Sequence, residues 1–588
     1  MAAARADAPL RYRVTLDDPT AHEIGVELEL PALGAEHAEL VMPVWAPGSY
    51  LVRDFARHVH GLEARDPAGR RLPVERVEKH RWRVRTRGRA ARVRYRVFAF
   101  EESVRTSFFD DAHAFWNGTS VFLYVDGALD RPCEVEVRAP RGWRVSSALA
   151  RRGTRFRAAD YDELADSPFE AGTHALHAFT VRGTRFELAL AGAHNADPAR
   201  LVRILEAVAR AEGALFGGFP FDRYLFIVHA LPRDGGGLEH RASCALNVAG
   251  LGFDSEAGYR RFAELAAHEL FHAWNVKRIR DRRLGPFDYT RENYTRLLWF
   301  HEGFTSFMEG PILLRARLLE PGAHLTDLAR AWERYLAKPG RNRTPLSELS
   351  FEAWIKQYKP AENFTNTAIS YYEKGAWVGL ALELELRAAS GGRRGVADLF
   401  RRLWRDFGRR DVGLEPEDVE EAASALAGRS LRGFFRRYVH GVAELPIPRL
   451  LGRSGVRVRR RAPWDEERDA TRARRLRGWT GLVFAPGERG RPATVRNVIP
   501  GSPAWQAGLT WNDELVAVDG ARVDAADAAA RFQDAPPGRR LTVTYFRGER
   551  LRETTLVVGR NPERRFVFEL DPRPDARAAA IRRGWLGC

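Results

Sequence analysis

The chain has 588 residues, 45% of them hydrophobic, and a net charge of +17. That length holds about three or four domains with ordinary apolar cores. Cys133, Cys244 and Cys588 are too scattered for a disulfide framework or a cysteine zinc site, and no run of about 18 apolar residues offers a membrane span. Arginine far outnumbers lysine and is spread along the chain, so the charge does not indicate a specific nucleic-acid partner. The first ten residues, Met1 to Leu10, lack the apolar core of a signal peptide, which sets the expectation of a cytoplasmic protein.

Residues 8–185 are predicted to form a β-rich domain. Apolar and polar residues alternate in Tyr12-Arg-Val-Thr-Leu16, Arg81-Trp-Arg-Val-Arg85 and Val93-Arg-Tyr-Arg-Val-Phe98. Residues 190–455 change to longer helical patterns and hold the candidate chemistry. There a strand-like run, Tyr224-Leu-Phe-Ile-Val-His229, leads into Gly235-Gly-Gly-Leu-Glu-His240. Gly236 and Gly237 permit the close backbone approach of a substrate cleft edge. The plainer alternative is a glycine hairpin with Glu239 on the surface.

The most specific signal is His268-Glu-Leu-Phe-His272, within a stretch free of Gly and Pro from Phe262 to Trp274. Residues four apart share a helix face, so His268 and His272 project together as ligands for one zinc ion. Glu269 leaves the helix near the same face and is placed to act as the base on a polarised water. A catalytic zinc takes a third protein ligand. Glu302, in the apolar segment Leu298-Trp-Phe-His-Glu-Gly-Phe-Thr-Ser-Phe307, is favoured, because a buried carboxylate needs a cation. Glu292 sits among polar residues and reads as a first-turn helix glutamate. His301 points about 100° away from Glu302 on a helix. Further on, Tyr371-Tyr-Glu-Lys-Gly375 opens an apolar helix running to Leu386.

Residues 456–477 are charged and arginine-rich and read as a linker. Residues 478–560 return to short strands around Pro500-Gly-Ser-Pro-Ala-Trp-Gln-Ala-Gly-Leu509 and Asp513-Glu-Leu-Val-Ala-Val-Asp-Gly520, which look like a PDZ domain. Such a domain captures a peptide C-terminus by strand addition, here beside Gly478-Trp-Thr-Gly-Leu-Val-Phe484. One that only packs on its neighbour is the alternative. The tail beyond residue 572 reads as mobile.

Four motifs in order resemble peptidase family M61, glycyl-aminopeptidase-like zinc enzymes distantly related to the M1 aminopeptidases and thermolysin. They are Trp45-Ala-Pro-Gly-Ser-Tyr-Leu-Val-Arg-Asp-Phe-Ala-Arg57, Gly236-Gly-Leu-Glu-His240, His268 to Arg280 with Trp299-Phe-His-Glu-Gly-Phe-Thr305, and Tyr371 to Gly375. The resemblance covers most of the chain. It implies a multidomain α+β protein: an N-terminal β domain, a thermolysin-like catalytic domain with a helical part, and a PDZ domain. It implies one zinc per chain and peptide substrates with small N-terminal residues. Gly236–His240 is similar to the Gly-x-Met-Glu-Asn segment of M1 enzymes, which gives Glu239 the substrate's free amino group. His240 departs from the asparagine there. Tyr371–Gly375 is similar to the M1 Tyr-x-Lys-Gly segment, which gives Tyr372 the oxyanion, with Tyr371 one residue out of register. The expected function is therefore a zinc aminopeptidase. Two alternatives stand beside it: a thermolysin-type endopeptidase, which needs no carboxylate like Glu239, and a PDZ scaffold on an inactive peptidase domain.

Overall fold

The computed structural model describes residues 8–465, 467–533 and 535–588. The leader expectation rests mostly on residues 1–7, which lie outside the described residues. The chain divides into two compact units. One is the chain up to Leu297 with Thr305–Leu319 and Ala397–Ala423; the other is Leu298–Phe304, Glu320–Val396 and Ser424–Cys588.

The first unit opens on β structure, as the alternation predicts. In Ala91–Phe98, the residues Ala91, Val93, Tyr95 and Val97 are buried while Arg92, Arg94 and Arg96 are exposed. One face of the strand enters the core and the arginines stay in water. This strand belongs to an eight-stranded sheet, and two four-stranded sheets accompany it. Their shared core includes Tyr12, Trp82, Trp116 and Phe169.

A five-stranded sheet follows, in the order Ala175–Val181, Thr184–Gly192, Arg223–Leu231, Ser243–Ala249, Gly236–Glu239. It starts before the boundary expected near residue 185, because Ala175–Val181 pairs with Thr184–Gly192 across a tight turn. Local alternation looks the same whichever sheet a strand joins. Arg223–Leu231 lies between two parallel neighbours and is buried from Tyr224 to Ala230. Cover on both faces explains its unbroken apolar sequence. Gly236–Glu239 is the edge strand, antiparallel to Ser243–Ala249. Helices Pro198–Phe216 and Glu256–Phe271 pack together in this unit.

The second unit is helical around Tyr371–Ser390, with the PDZ-like segment and the C-terminus. Two sequence expectations are corrected here. The supposed linker begins with strand Val456–Arg461, which pairs in full register with Arg565–Leu570. The latter strand is fastened to helix Pro321–Leu336, where Glu333 accepts from Phe566 N at 2.7 Å and pairs with Arg565 at 2.8 Å. The supposed mobile tail is helix Ala576–Leu586. Asp575 caps it by accepting from Ala578 N at 2.7 Å, and Ile581, Trp585 and Leu586 are buried. In both places the apolar residues are few and the arginines many. The surface that buries them is supplied by residues distant in sequence.

The PDZ-like sheet runs Leu482–Phe484, Ala493–Val498, Glu514–Val518, Arg540–Arg547, Arg550–Val557. It closes on its own core of Val495, Leu515, Phe532, Val543 and Leu556. Arg461 lies opposite Arg565, so this segment leaves and rejoins the unit at adjacent points. Asn366 donates to Asn497 Oδ1 at 2.8 Å and to Val498 O at 3.1 Å. Among the described residues, no helix is long and apolar enough to cross a membrane.

Candidate active site

Helix Glu256–Phe271 buries Tyr259, Phe262, Ala263, Ala266, Ala267 and Leu270, a stripe at spacings of three and four. Burying that stripe fixes the direction in which His268 and His272 leave the helix. His272 caps the C-terminal end, so the helix ends earlier than the sequence predicts and begins earlier too. His268 Nδ1 pairs with Glu309 Oε1 at 2.8 Å, and His272 Nδ1 donates to Asn275 O at 2.7 Å. A carbonyl and an ionised carboxylate only accept, so each Nδ1 carries the hydrogen and each Nε2 turns out a lone pair. The two Nε2 atoms lie 3.0 Å apart. Two nitrogen lone pairs converging this closely, with both rings held from behind, fit a zinc ion.

The edge strand supplies the carboxylate side. Glu239 and Glu269 are 4% and 5% exposed. The ligand-type atoms of Glu239, Glu269 and His272 all lie within 4.8 Å of one another. Glu239 Oε1 is buried without a hydrogen-bond partner among the described residues. Gly237 makes this convergence possible, since a Cβ there would overlap the Glu269 carboxylate. Gly48, in the Trp45–Tyr50 motif, acts from the other side. Its φ is +95°, and a Cβ on it would sit 2.6 and 2.8 Å from the two Glu239 oxygens. The sequence marked that motif only by resemblance. The structure shows its backbone closing on Glu239.

The strand is tied at both ends by buried charge. Asp166 Oδ1 pairs with His240 Nδ1 at 3.1 Å and Lys277 Nζ at 2.8 Å, and Asp166 Oδ2 accepts from Arg241 N at 2.8 Å. Burial opposes the Asp166 charge, but Lys277 and His240 outweigh it and hold the carboxyl well below its usual range. His240, the departure from the M1 pattern, thus serves this tie. Behind Gly236, its register partner Asn247 meets His229 Nδ1 at 3.1 Å. His229 Nε2 and His113 Nδ1 pair with the two oxygens of Glu170 at 2.8 and 3.1 Å. Burial pushes Glu170 up, but His229 and His113 outweigh it and bring it down to about 2. Burial likewise pulls His113 down, and the Glu102 and Glu170 carboxylates instead raise it to about 10.

The second unit carries Glu302 and Tyr372. Glu302 is 2% exposed, as expected, and sits at the junction of helices Leu298–His301 and Gly303–Arg315. The backbone bond from Glu302 N to Leu298 O, 2.8 Å, carries the helical path through. Gly303 and Gly375 form a close crossing here: a Cβ on Gly303 would lie 2.5 Å from Gly375 Cα, and one on Gly375 would lie 2.5 Å from Trp299 O. The crossing sets the start of helix Tyr371–Ser390 against the Glu302 segment. Burial, then the Glu302 charge, raise the Tyr372 phenol well above its usual range, so it is a proton donor at neutral pH. Tyr371 is fully buried and stacks on Tyr372 with ring centroids 4.9 Å apart. Glu292, read as a helix glutamate, lies in an irregular segment instead. Sequence reasoning missed Gly48, Asp166 and Glu309. Gly48 carried only the resemblance of its motif, Asp166 carried no signal, and Glu309 stood seven residues, two helical turns, beyond Glu302.

Family comparisons agree with this layout. Residues 11–173 match the Peptidase M61 N-terminal domain, 261–378 the M61 glycyl aminopeptidase domain, and 494–547 a PDZ domain. No curated protein matches the chain. Among solved structures, an aminopeptidase N family protein from Idiomarina loihiensis is 30% identical with a TM-score of 0.90, covering 97% of this chain and 100% of its own. An M1 zinc metallopeptidase from Deinococcus radiodurans is 14% identical with a TM-score of 0.47, covering 75% of this chain and 95% of its own. The chain belongs to peptidase family M61, the glycyl-aminopeptidase family of metallopeptidases.

Proposed function

We propose that the protein is a zinc aminopeptidase that removes small N-terminal residues, glycine or alanine, from peptides. The observation that carries this reading is Glu239: a buried carboxylate oxygen without a hydrogen-bond partner among the described residues, beside Glu269 and His272. A substrate ammonium is its natural complement, whereas an endopeptidase would have no use for it. The intact base and histidine pair argue against an inactive scaffold.

His268, His272 and Glu302 are the proposed ligands of one zinc. Glu302, Thr305 and Glu309 fall on one helix face by spacing. Thr305 accepts from Asn275 at 3.0 Å and Glu309 pairs with His268, which supports Glu302 as the third ligand. When bound, zinc supplies Lewis-acid polarisation of the scissile carbonyl and of a water. Glu269 takes the proton from the attacking water and delivers it to the leaving amine. Tyr372 donates to the oxyanion from a phenol that burial keeps protonated. The open edge of Leu482–Phe484 beside Gly481 supports peptide docking at the PDZ segment by strand addition.

The test joins metal analysis to substrate choice. Glu302→Ala should lose zinc while Glu292→Ala keeps it; the reverse result refutes the ligand set. Glycyl anilide should be hydrolysed and acetylglycyl anilide refused. Efficient internal cleavage of blocked peptides would establish an endopeptidase instead.

A further inference from the structure

We infer that Arg105 is a specificity-determining residue that receives the free C-terminal carboxylate of a dipeptide, so that peptides of two residues with both ends free are favoured substrates. The inference rests on the amine-anchoring reading of Glu239.

The edge strand sets the geometry. His240 N donates to Ser243 O at 2.9 Å, so these two form a hydrogen-bonded pair. Such pairs alternate along an antiparallel ladder. Leu238 therefore bonds to the neighbouring strand, as does Gly235, whose N donates to Asn247 O at 3.0 Å, and Gly237 and Glu239 turn their backbone groups to the open edge. Arg105 meets that edge: its Nη2 donates to Gly237 O at 3.2 Å and lies 4.0 Å from a Cβ built on Gly236. A guanidinium has five donors, and this bond uses one. Arg105 has no ion-pair partner among the described residues.

The loop that presents Arg105 is built in place. Asn117 Nδ2 donates to Val104 O at 2.9 Å and to Thr106 O at 3.3 Å, and Asn117 is buried. Val104 and Leu238 share one apolar cluster, which fastens the loop to the edge strand itself. This arginine is therefore held over Gly236–Gly237.

Spacing then selects the ligand. From Glu239 to Gly237 the strand advances roughly 6.6 Å, two residues at about 3.3 Å each. An extended dipeptide covers about the same span between its ammonium and its carboxylate. With the ammonium at Glu239, the first carbonyl comes level with Glu269, whose carboxylate oxygen lies within 4.8 Å of that of Glu239. The second residue's carboxylate then reaches Arg105. A carboxylate oxygen with no hydrogen-bond partner among the described residues at one end, and a guanidinium with spare donors at the other, complement a dipeptide zwitterion.

The experiment compares glycyl-alanine with glycyl-alanine amide on the zinc-loaded enzyme. We expect kcat/KM to favour the free dipeptide by about 10- to 100-fold, the range of a charge-assisted bond. Arg105→Ala should bring the dipeptide down to the level of the amide, and Arg105→Lys should restore part of the difference. Calorimetric titration of Glu269→Gln with both ligands should show the same preference without turnover. Equal handling of dipeptide and amide by the wild type overturns the inference. So does an Arg105→Ala variant that lowers both alike, which would make Arg105 a support for the strand only. Acetylglycyl anilide separates the premises. Hydrolysis of it as fast as glycyl anilide defeats the Glu239 reading, whereas dependence on the free amine without a carboxylate preference defeats Arg105 alone.

Discussion

Two sheet edges in this protein have similar backbones and opposite surroundings. Gly236–Glu239 and Leu482–Phe484 are both short edge strands beside a glycine. Gly236–Glu239 is enclosed by buried charge: Asp166 holds His240, Glu170 backs the strand through His229 and Asn247, and Gly48 presses on Glu239. Among the described residues, Leu482–Phe484 has no such enclosure, and Val483 is 40% exposed. An edge strand offers the same unpaired N–H and C=O groups in either place. The fixed charges around it are what differ between the two.

The largest expected effect tests whether the enclosed edge is catalytic. Glu269→Gln should retain zinc and lose about 10²- to 10⁴-fold in kcat. A well-folded, zinc-loaded variant with near-normal turnover would erase the distinction between the two edges.

The buried charge behind that edge should be visible in stability. Glu170→Gln leaves His113 without this counter-charge and disturbs the hydrogen bond to His229, and should cost about 3–5 kcal/mol in denaturant unfolding. The pH dependence has two limbs. Glu170 is lowered from 4.5 to about 2, so its contribution is complete above pH 4.5 and is lost as pH falls towards 2. His113 is raised from 6.5 to about 10, so its contribution is complete below pH 6.5 and is lost as pH rises through 10. Glu170→Gln should remove the acid limb and shrink the alkaline one, where Glu102 still acts. An unchanged pH–stability profile would show that this network does not support the edge.

Gly48→Ala sharpens the comparison further. The new Cβ must displace the Glu239 carboxylate, and the positive φ adds about 1–3 kcal/mol of strain. KM for glycyl anilide should rise by about tenfold, the scale of one charged contact. The double variant with Glu239→Asp, whose shorter side chain withdraws, should recover part of that loss. Strictly additive effects would separate Gly48 from amine binding.

The smallest effect belongs to the open edge. The PDZ-like segment leaves and rejoins its unit beside Arg461 and Arg565, so residues 466–562 can be replaced by a short glycine-serine bridge. Turnover of glycyl anilide should change by less than about threefold, as expected for a module with its own core. Ending the chain near residue 460 is a harsher change, since it also removes the strand on Glu333 and the C-terminal helix. Loss of anilide turnover in the folded, bridged protein would place both edges in one catalytic machine.

Much of this was legible from local chemistry. The His268–His272 spacing placed two imidazoles on one helix face, because helical periodicity is a property of the backbone. Alternation in Ala91–Phe98 showed a half-buried strand, and the apolar setting of Glu302 foretold its burial. Other features depend on residues that meet only after folding. The strand Val456–Arg461 looks like a charged linker until Arg565–Leu570 lies beside it. Ala576–Leu586 looks like a tail until its few apolar residues find a surface. Gly48 and Glu239 are 191 positions apart in the chain, yet their contact is set by the absence of a single Cβ. Asp166 likewise gains its role from Lys277 and His240. Backbone periods repeat over a few residues and can be read along the chain. Close approach and charge compensation join distant segments, and they form only when folding brings those segments together and excludes the water that screens their charges.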